Sequence, residues 1–327
     1  MDIKKLITEK GYIDKKTPAG RYLEVGIRRM CSEKNAIILA HYYERDEVQD
    51  IADFTGDSLA LAQQAATTDA DIIVFAGVHF MAETAKILSP EKKVLLPDLN
   101  ATCSLADSCP ADEFEKFIKD HPGRTVISYV NTTAEVKALS DIICTSSNAV
   151  KIIESLPEDE KIIFAPDRNL GNYIKSLTGR DMLIWDGSCH VHREFSLERI
   201  VELKSKYPDA KLIAHPECEE PVRILADFIG STSQLINFTK KDRATRYIIA
   251  TEPGVIHQMK LFNPEKEYIP APGHDATCAC SECEFMKMIT LEKIYNTLKY
   301  EAPEIVMEEE KIRMAYRSIK RMMELST

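Results

Sequence analysis

Short apolar runs alternate with helix-like amphipathic stretches along the chain, and this alternation repeats. The repeating units open with apolar runs that begin near Ile37, Thr125 and Lys211. Each opening run is followed by an amphipathic stretch and then by further apolar runs with helical patterns between them. Strands that alternate with helices predict parallel sheets built from right-handed βαβ units. The pattern therefore predicts three α/β lobes, framed by helices over residues 17–33 and 290–326.

A 22-residue segment that occurs three times without a gap opens the lobes. Its copies are residues 37–58, 125–146 and 211–232. A polar or aromatic anchor follows the first apolar run of each copy, namely His41, Tyr129 and His215. The anchors are 88 and 86 residues apart, a spacing that is too long for a solenoid repeat and suits a small domain.

Polar residues recur at matched positions in the three copies. Two residues after the anchors stand Tyr43, Asn131 and Glu217. The copies end on Ser58, Ser146 and the pair Ser231–Thr232. Because ligands bind beyond the carboxyl ends of parallel strands, we expect these side chains to line one central cavity. A third matched set is interpreted as structural caps or turn residues and consists of Asp53, Asp141 and Asp227.

Composition narrows the class of protein. The 327 residues suffice for two or three domains with hydrophobic cores. The net charge of -10 argues against a general nucleic-acid binder. No apolar stretch is long enough to cross a bilayer and no signal peptide begins the chain, which predicts a cytoplasmic protein. In that compartment nine cysteines indicate metal binding or catalysis before disulfides.

Cysteines follow the fourth apolar run of each lobe. They are Cys103, Cys189 and the group Cys278, Cys280 and Cys283. Thiolates that converge from three lobes predict a metal site for zinc or an iron–sulfur cluster. A structural zinc site normally closes with four ligands, so three scattered cysteines favour an open cluster. A local zinc knuckle within the last group stays open as an alternative.

Several motifs together resemble those of the quinolinate synthase family, also called quinolinate synthetase A. They are AHYY at 40–43, GDS at 56–58, GVHFMAETAKILSP at 77–90, CSLADSCP at 103–110, SYVNT at 128–132, TSSNA at 145–149, WDGSCHVH at 185–192, HPEC at 215–218 and GSTSQ at 230–234. The resemblance covers nearly the whole chain. It implies three Rossmann-like αβα lobes in pseudo-threefold arrangement around a [4Fe-4S] cluster with three cysteine ligands and one open iron.

The resemblance also implies lobe limits and cluster ligands. Lobe 1 would span residues 1–108, with the C-terminal helices 286–327 packed on it, lobe 2 residues 109–192 and lobe 3 residues 193–285. The family pattern assigns the ligands to Cys103, Cys189 and Cys283. Repeat register favours Cys278 instead of Cys283, because NATC at 100–103 matches DATC at 275–278. We follow the family pattern and expect Cys283.

Members of this family condense iminoaspartate with dihydroxyacetone phosphate to quinolinate, releasing phosphate and water, in NAD biosynthesis. The resemblance implies the same small-molecule substrates here, with the open iron as Lewis acid. It also implies a functional link to an L-aspartate oxidase or an aspartate dehydrogenase as the source of iminoaspartate. Alternatives are an iron–sulfur hydro-lyase acting on another small acid and a non-enzymatic metal-binding or redox-sensing protein.

Roles within the predicted site follow from residue type and matched position. Glu217 is the one carboxylate two residues after an anchor, so we expect it to act as general base and acid, assisted by Tyr43 and His215. Anionic substrates require positive potential, which helix N-termini and nearby donors supply. The expected substrate-binding residues are His41, Ser58, Tyr129, Asn131, Ser146, His192, His215, Glu217, Ser231 and Thr232.

Overall fold

The computed structural model describes residues 3–274 and 281–326. The first repeat contains strands β1 to β4 at Ala36–His41, Phe54–Gly56, Ile72–Ala76 and Lys93–Leu95. Its helices α1 to α5 are Ile3–Lys10, Arg21–Glu33, Asp46–Ile51, Ser58–Thr67 and His79–Leu88.

The second repeat has the same succession of elements. Its strands β5 to β8 are Thr125–Tyr129, Ile142–Cys144, Ile162–Ala165 and Met182–Ile184. Its helices α6 to α10 are Ser104–Asp107, Ala111–Asp120, Ala134–Leu139, Ala149–Glu154 and Arg168–Thr178.

The third repeat is followed by the C-terminal helices. Strands β9 to β12 are Lys211–Ala214, Phe228–Ile229, Arg246–Ala250 and Glu267–Pro270. Helices α11 to α15 are His190–Arg193, Leu197–Lys206, Glu220–Leu225, Thr232–Lys241 and Val255–Phe262. A 3₁₀ turn at Met286–Met288 precedes α16 at Leu291–Tyr300 and α17 at Glu309–Ser326. None of the helices in the described residues is long and apolar enough to cross a membrane.

The three sheets share one topology. Each has four parallel strands, in the orders β2-β1-β3-β4, β6-β5-β7-β8 and β10-β9-β11-β12. The register also repeats, since Leu39 pairs with Phe54, Ile127 with Ile142 and Ile213 with Phe228. The inner strands are apolar on both faces, as expected when helices cover both sides of a parallel sheet. The predicted fold class, α/β with three Rossmann-like lobes, is confirmed.

The described residues group into two compact units. The first contains the residues up to Cys103, Thr133–Ala138 and Glu284–Arg317, and holds the sheet β1 to β4. The second contains Ser104–Thr132, Leu139–Cys283 and the residues from Ser318, and holds the other two sheets. The lobe limits and the pseudo-threefold arrangement expected from the sequence stay predictions.

The framing helices differ from the sequence prediction. The first begins at Arg21 rather than at residue 17, directly after Gly20 in a positive-φ conformation. Residues 290–326 form two helices whose boundary was not predicted, because α16 ends before Glu301, which has a left-handed backbone with φ of 51°. Pro303 follows and cannot donate a helical hydrogen bond. The Glu301 carboxylate lies 2.6 Å from Lys34 Nζ and 2.5 Å from Lys93 Nζ, which fixes this break.

The three matched aspartates have one structural role. Each carboxylate accepts a hydrogen bond from a backbone amide of the first strand in its sheet, at 2.7–2.8 Å. Each aspartate amide also donates to the carbonyl of that same strand residue, at 2.7–3.0 Å. The pairs are Asp53 with Ile38, Asp141 with Val126 and Asp227 with Leu212. These contacts tie the entry of the second strand to the first and support the structural interpretation.

Candidate active site

The anchors lie at the carboxyl ends of the first strands, where a parallel sheet offers its ligand edge. His41 and Tyr129 are the last residues of β1 and β5, and His215 directly follows β9. The first unit contains His41, Tyr43 and Ser58, whereas Tyr129, Ser146, His192, His215 and Glu217 all belong to the second unit. The second unit brings these five side chains together.

Two anchors begin β-turns with the same internal hydrogen bonds. The amide of Glu44 donates to the His41 carbonyl at 3.0 Å, and the amide of Cys218 donates to the His215 carbonyl at 3.0 Å. The histidine Nδ1 atoms accept from the amides two residues on, at 3.2 Å from Tyr43 and 3.3 Å from Glu217. A neutral ring that accepts at Nδ1 carries its proton on Nε2, which is then available as a donor.

In the first unit, the turn His41–Glu44 is fixed from two sides. The rings of His41 and Tyr43 meet edge to face, with centroids 4.5 Å apart. Lys287, the middle residue of the 3₁₀ turn, donates to the Tyr43 carbonyl at 2.5 Å, while Arg45 donates to the Lys287 carbonyl at 2.9 and 3.0 Å. The C-terminal segment therefore orders the backbone that presents Tyr43.

In the second unit, the Glu217 carboxylate is the centre of a buried polar cluster and is 3 % exposed. Tyr129 donates its hydroxyl to Oε1 at 2.7 Å. His192 Nδ1 lies 3.2 Å from Oε2, and His215 Nδ1 lies 3.5 Å from Oε1. His192 Nδ1 and Glu217 Oε2 are close enough for an ion pair, but the angle between them does not suit a hydrogen bond. His192 Nδ1 therefore has no hydrogen-bond partner among the described residues.

These neighbours decide the charge of Glu217. Burial alone opposes ionisation, but His192, His215 and the Tyr129 hydroxyl outweigh it and lower the pKa of Glu217 to about 2. The carboxylate is therefore charged at neutral pH and can accept a proton. Glu217 can act as a general acid only after it has accepted a proton.

The two histidines extend this cluster to hydroxyl groups. Their rings stack with centroids 4.8 Å apart. His192 Nε2 lies 3.0 Å from Thr251 Oγ1, and His215 Nε2 lies 3.2 Å from Ser146 Oγ. The neighbouring Ser147 and Ser231 hydroxyls are 2.9 Å apart. Side chains from the second and third repeats thus meet within the second unit.

The remaining predicted binding residues differ in their local roles. Ser231 is the N-cap of α14 in a capping box with Gln234, so Thr232 is the first helical residue. Ser58 is likewise the first residue of α4, and Asp57 rather than serine caps that helix. Asn131 Oδ1 is buried without a hydrogen-bond partner in the part of the chain that the structure describes. A buried polar atom in this state can accept a hydrogen bond from a ligand.

The cysteines fall into two classes. Cys103, Cys189 and Cys283 are partly exposed. The other described cysteines are buried, and burial raises the pKa of the thiol to about 12 in Cys31 and Cys109 and raises the pKa in Cys144 and Cys218 as well. Cys278 and Cys280 lie outside the described residues.

Two buried carboxylates that the sequence analysis missed hold cysteine backbones. Asp167 Oδ2 accepts from the Cys189 amide at 3.3 Å, and Glu252 Oε1 accepts from the Cys283 amide at 3.4 Å. Both acids are fully buried and stand two residues after the third strand of their sheet. Burial and the nearby charge of Glu217 raise the pKa of Asp167. The sequence signal was the matched position of the two acids after β7 and β11.

The second unit also offers a local metal-binding group. One ligand atom each of Cys189, His192 and Glu217 lies within 4.8 Å of the other two. Sulfur, imidazole and carboxylate are ligands that transition metals accept. The arrangement indicates a metal centre at this edge and does not by itself fix the type of metal or cluster.

In the first unit, a fully buried cation lies near the first predicted ligand cysteine. Lys137 is 0 % exposed, and its ammonium lies 5.2 Å from the centroid of the Phe80 ring. Burial lowers the pKa of Lys137 to about 8, against the opposing charges of Glu83 and then Cys103. Sequence analysis passed over Lys137 because a lysine in an amphipathic helix is ordinarily solvated.

Known proteins are similar to this chain over almost its full length. The family model described as "Quinolinate synthetase A protein" matches residues 25–324. A quinolinate synthase from Synechococcus is 58 % identical over 304 residues, covering 93 % of this chain and 95 % of that protein. A quinolinate synthase from Synechocystis is 58 % identical over 306 residues, covering 94 % and 96 %. A third, from Nostoc, is 57 % identical over 311 residues, covering 94 % and 96 %. The match spans all three repeats, and the chain belongs to the quinolinate synthetase A family.

Proposed function

We propose that this protein is a quinolinate synthase, which condenses iminoaspartate with dihydroxyacetone phosphate and releases phosphate and water. The observation that carries the proposal is the buried cluster around Glu217, in a chain that belongs to the family. This group of polar side chains combines the charged Glu217 carboxylate with hydroxyl and imidazole groups, as proton transfer during condensation and dehydration requires. The function belongs to NAD biosynthesis in the cytoplasm.

A [4Fe-4S] cluster is the proposed cofactor, held by Cys103, Cys189 and Cys283. The donor set fits, because these three thiols are partly exposed while the four other described cysteines are buried. The buried Lys137 interacts electrostatically with Cys103 and thus supplies positive charge near this proposed ligand. When bound by three cysteines, such a cluster offers one open iron as a Lewis acid.

The matched carboxylates support Cys283 as the third ligand. Asp167 and Glu252 stand at the same position of the second and third repeats, and each binds the amide of one proposed ligand. The backbone at Cys283 is thus held in the same way as that at Cys189. This agreement favours Cys283 over Cys278, which repeat register alone had favoured.

Proton transfer is assigned to Glu217. Its pKa of about 2 keeps Glu217 ionised at neutral pH, so the carboxylate is the form that meets the substrate. Tyr129 fixes one carboxylate oxygen at 2.7 Å, so the other oxygen, next to His192, is the better placed to accept. His215 and Tyr43 assist as donors. After accepting a proton, Glu217 becomes the acid that protonates a departing hydroxyl.

Substrate binding is assigned to the polar residues at the carboxyl ends of the sheets. The substrates are anionic, and the helix beginning at Thr232 offers free amides while Ser231 caps it. Asn131 Oδ1 accepts a substrate hydrogen bond, and His192 Nδ1 supplies a further polar atom that lacks an aligned partner. The other proposed binding residues are His41, Ser58, Tyr129, Ser146 and His215.

Turnover by the anaerobically purified protein tests the function. Iminoaspartate is best generated in place by an L-aspartate oxidase or an aspartate dehydrogenase, the proposed upstream partners. Quinolinate formation with dihydroxyacetone phosphate is the expected result, and it must require both substrates. A protein with full iron content and an absorbance near 400 nm that makes no quinolinate would contradict the proposal.

Iron analysis tests the ligand set separately. Cys283→Ser should lose cluster iron and the absorbance near 400 nm, as should Cys103→Ser and Cys189→Ser. Cys278→Ser is the matched control and should retain both. The buried Cys144→Ser provides a second control, since this thiol is a core residue. Full iron retention by Cys283→Ser would overturn the assignment.

A further inference from the structure

The two histidine turns are each held by a buried side chain from the helix that follows. In the first unit, Gln49 Nε2 donates to the Glu44 carbonyl at 2.9 Å and to the Tyr42 carbonyl at 3.0 Å. In the second unit, Arg223 Nε donates to the Cys218 carbonyl at 2.9 Å. Both donors are buried, with 3 % and 7 % exposure.

These two contacts are the same contact in different repeats. Gln49 and Arg223 each stand eight residues after their anchor histidine, directly after Val48 and Val222. Each reaches the carbonyl of the fourth turn residue. Glutamine and arginine share little beyond a side-chain N–H donor, so the shared feature is the donated hydrogen bond. The remaining copy, residues 125–146, has Lys137 at this position, and Lys137 is also fully buried.

The carbonyls at the ends of these turns need such a donor. Glu44 and Cys218 are fully buried residues, and a buried carbonyl without a hydrogen-bond partner destabilises the folded chain. Arg223 is itself held in place, because its guanidinium lies 5.4 Å from the centroid of the Tyr173 ring. Two hydrogen bonds therefore hold each turn. The anchor histidine ring accepts from the amide of the third turn residue, and a side chain of the following helix donates to the carbonyl of the fourth.

The third residue of each turn carries a proposed catalytic side chain, Tyr43 in one and Glu217 in the other. Catalytic groups must be held within about 0.5 Å of productive geometry, and a displacement of about 1 Å can cost about 100-fold in rate. A residue that fixes the turn backbone therefore acts on catalysis without touching substrate.

We propose that Gln49 and Arg223 are positioning residues for the reaction, which hold Tyr43 and Glu217 by hydrogen-bonding the ends of the turns that carry them. The inference rests on the proposed function for its kinetic consequence. The hydrogen bonds of the turns are a separate, measurable property of the protein.

Arg223 is tested with two replacements of different donor capacity. Arg223→Gln keeps a donor of the kind that Gln49 uses at the same position, whereas Arg223→Met keeps the length of the side chain and loses the donor. We expect Arg223→Met to lower kcat about 10- to 100-fold with KM changed less than about threefold, and Arg223→Gln to restore kcat to within about threefold of the parent.

The matched control is Arg180→Met. Arg180 is also buried in the second unit and also donates to backbone carbonyls, those of Ile153, Leu156 and Pro157. It precedes β8, so it lies at the amino ends of the strands, away from the ligand edge. Arg180→Met should lower the thermal stability and leave kcat within about twofold of the parent.

Hydrogen–deuterium exchange gives a readout that does not depend on turnover. The Cys218 amide, which closes the turn, should exchange at least about tenfold faster in Arg223→Met than in the parent, and at nearly the parent rate in Arg223→Gln and Arg180→Met. If the parent makes no quinolinate, the proposed function fails. The comparison of exchange rates still tests whether the hydrogen bond from Arg223 stabilises the turn. Unchanged exchange and unchanged kcat in Arg223→Met would overturn the inference.

Gln49→Glu repeats the test in the first unit and decides the question if Arg223→Met does not fold. It replaces the Nε2 donor by an acceptor that faces two carbonyls, so we expect kcat to fall at least about fivefold and the Glu44 amide to exchange faster. The matched control is Asn296→Asp, because the buried Asn296 amide also donates to two carbonyls, those of Ile13 and Lys15. Equal losses of kcat in both variants, or none in Gln49→Glu, would overturn the inference.

Discussion

The turn His41–Glu44 and the turn His215–Cys218 have the same backbone and different chemistry. Both close with a 3.0 Å hydrogen bond between the fourth amide and the first carbonyl, and both use the anchor ring to bind the third amide. The third residue is Tyr43 in the first turn, where it is partly exposed, and Glu217 in the second, where it is 3 % exposed.

The comparison separates what a repeat copies from what it leaves free. Backbone hydrogen bonds within four residues were retained, because they depend on local spacing and on one imidazole. The side chain at the third position diverged, because its surroundings come from other parts of the fold. Glu217 is charged at neutral pH only because Tyr129, His192 and His215 surround it. The chemistry therefore follows the environment of the turn rather than its shape.

The largest effect should come from Glu217→Gln. Loss of a general base costs about 100-fold or more in kcat, and glutamine keeps the size of the side chain and can accept from Tyr129. Tyr43→Phe, at the same position of the other turn, should cost less than about tenfold. Steady-state quinolinate formation measures both, with iron content as the control. Near-parent turnover by Glu217→Gln would show that the difference between the turns is not catalytic.

An intermediate effect should come from the anchor ring. In His215→Asn the amide oxygen takes the place of Nδ1 and keeps the hydrogen bond from the third amide, as in an Asx-turn. The contact of Nε2 with Ser146 is lost, so we expect kcat to fall about tenfold while exchange of the Glu217 amide stays unchanged. His215→Ala should accelerate that exchange as well. Equal exchange in both variants would argue against a role of the ring in the turn.

A smaller effect, on stability alone, should come from the copied aspartates. Asp227→Ala removes the acceptor for the Leu212 amide and should lower the free energy of unfolding by about 1–2 kcal/mol. The kcat of the folded variant should stay within about twofold of the parent. Urea unfolding and a turnover assay at low temperature measure the two quantities. A loss of kcat at unchanged stability would assign this position to the site instead.

The smallest effect is a pH dependence at Asp242, a carboxylate of the third repeat outside the proposed site. Burial opposes its charge, but Lys211, the Ala244 amide and the Tyr247 hydroxyl lower the pKa of Asp242 to about 2, the same value as for Glu217. The unfolded pKa is about 3.9, so this contribution to stability is present above pH 4 and is lost as the pH falls through about 2.

At pH 6 the free energy of unfolding of Asp242→Asn should therefore be about 1 kcal/mol lower than that of the parent, as measured by urea unfolding. This difference in stability should disappear as the pH approaches 2. Quinolinate formation should not change. A gap that is independent of pH would show that charge is not what Asp242 contributes. Loss of turnover in Asp242→Asn would show that Asp242, like Glu217, contributes to catalysis and not only to stability.

The sequence was sufficient for features that depend on local spacing. The three parallel sheets follow from the periodicity, and the structural role of Asp53, Asp141 and Asp227 follows from their matched positions. The strand order within each sheet was decided by the structure. The break between the C-terminal helices at Glu301 was not predicted, and there two lysines from other segments fix a left-handed residue. That break depends on contacts across 208 and 267 residues, which no local pattern contains.

The sequence by itself determined the folding units, the residue types at each ligand edge and the family to which the chain is similar. Only the tertiary structure decided how those residues are charged and held. Asp167, Glu252 and Arg223 are ordinary polar residues in sequence, and they gain their roles because the fold buries each one against a backbone group of the site. The free-energy cost of an unpaired charge or donor depends on its burial and on its distance to neighbouring groups. Both are properties of the packed chain rather than of any one segment.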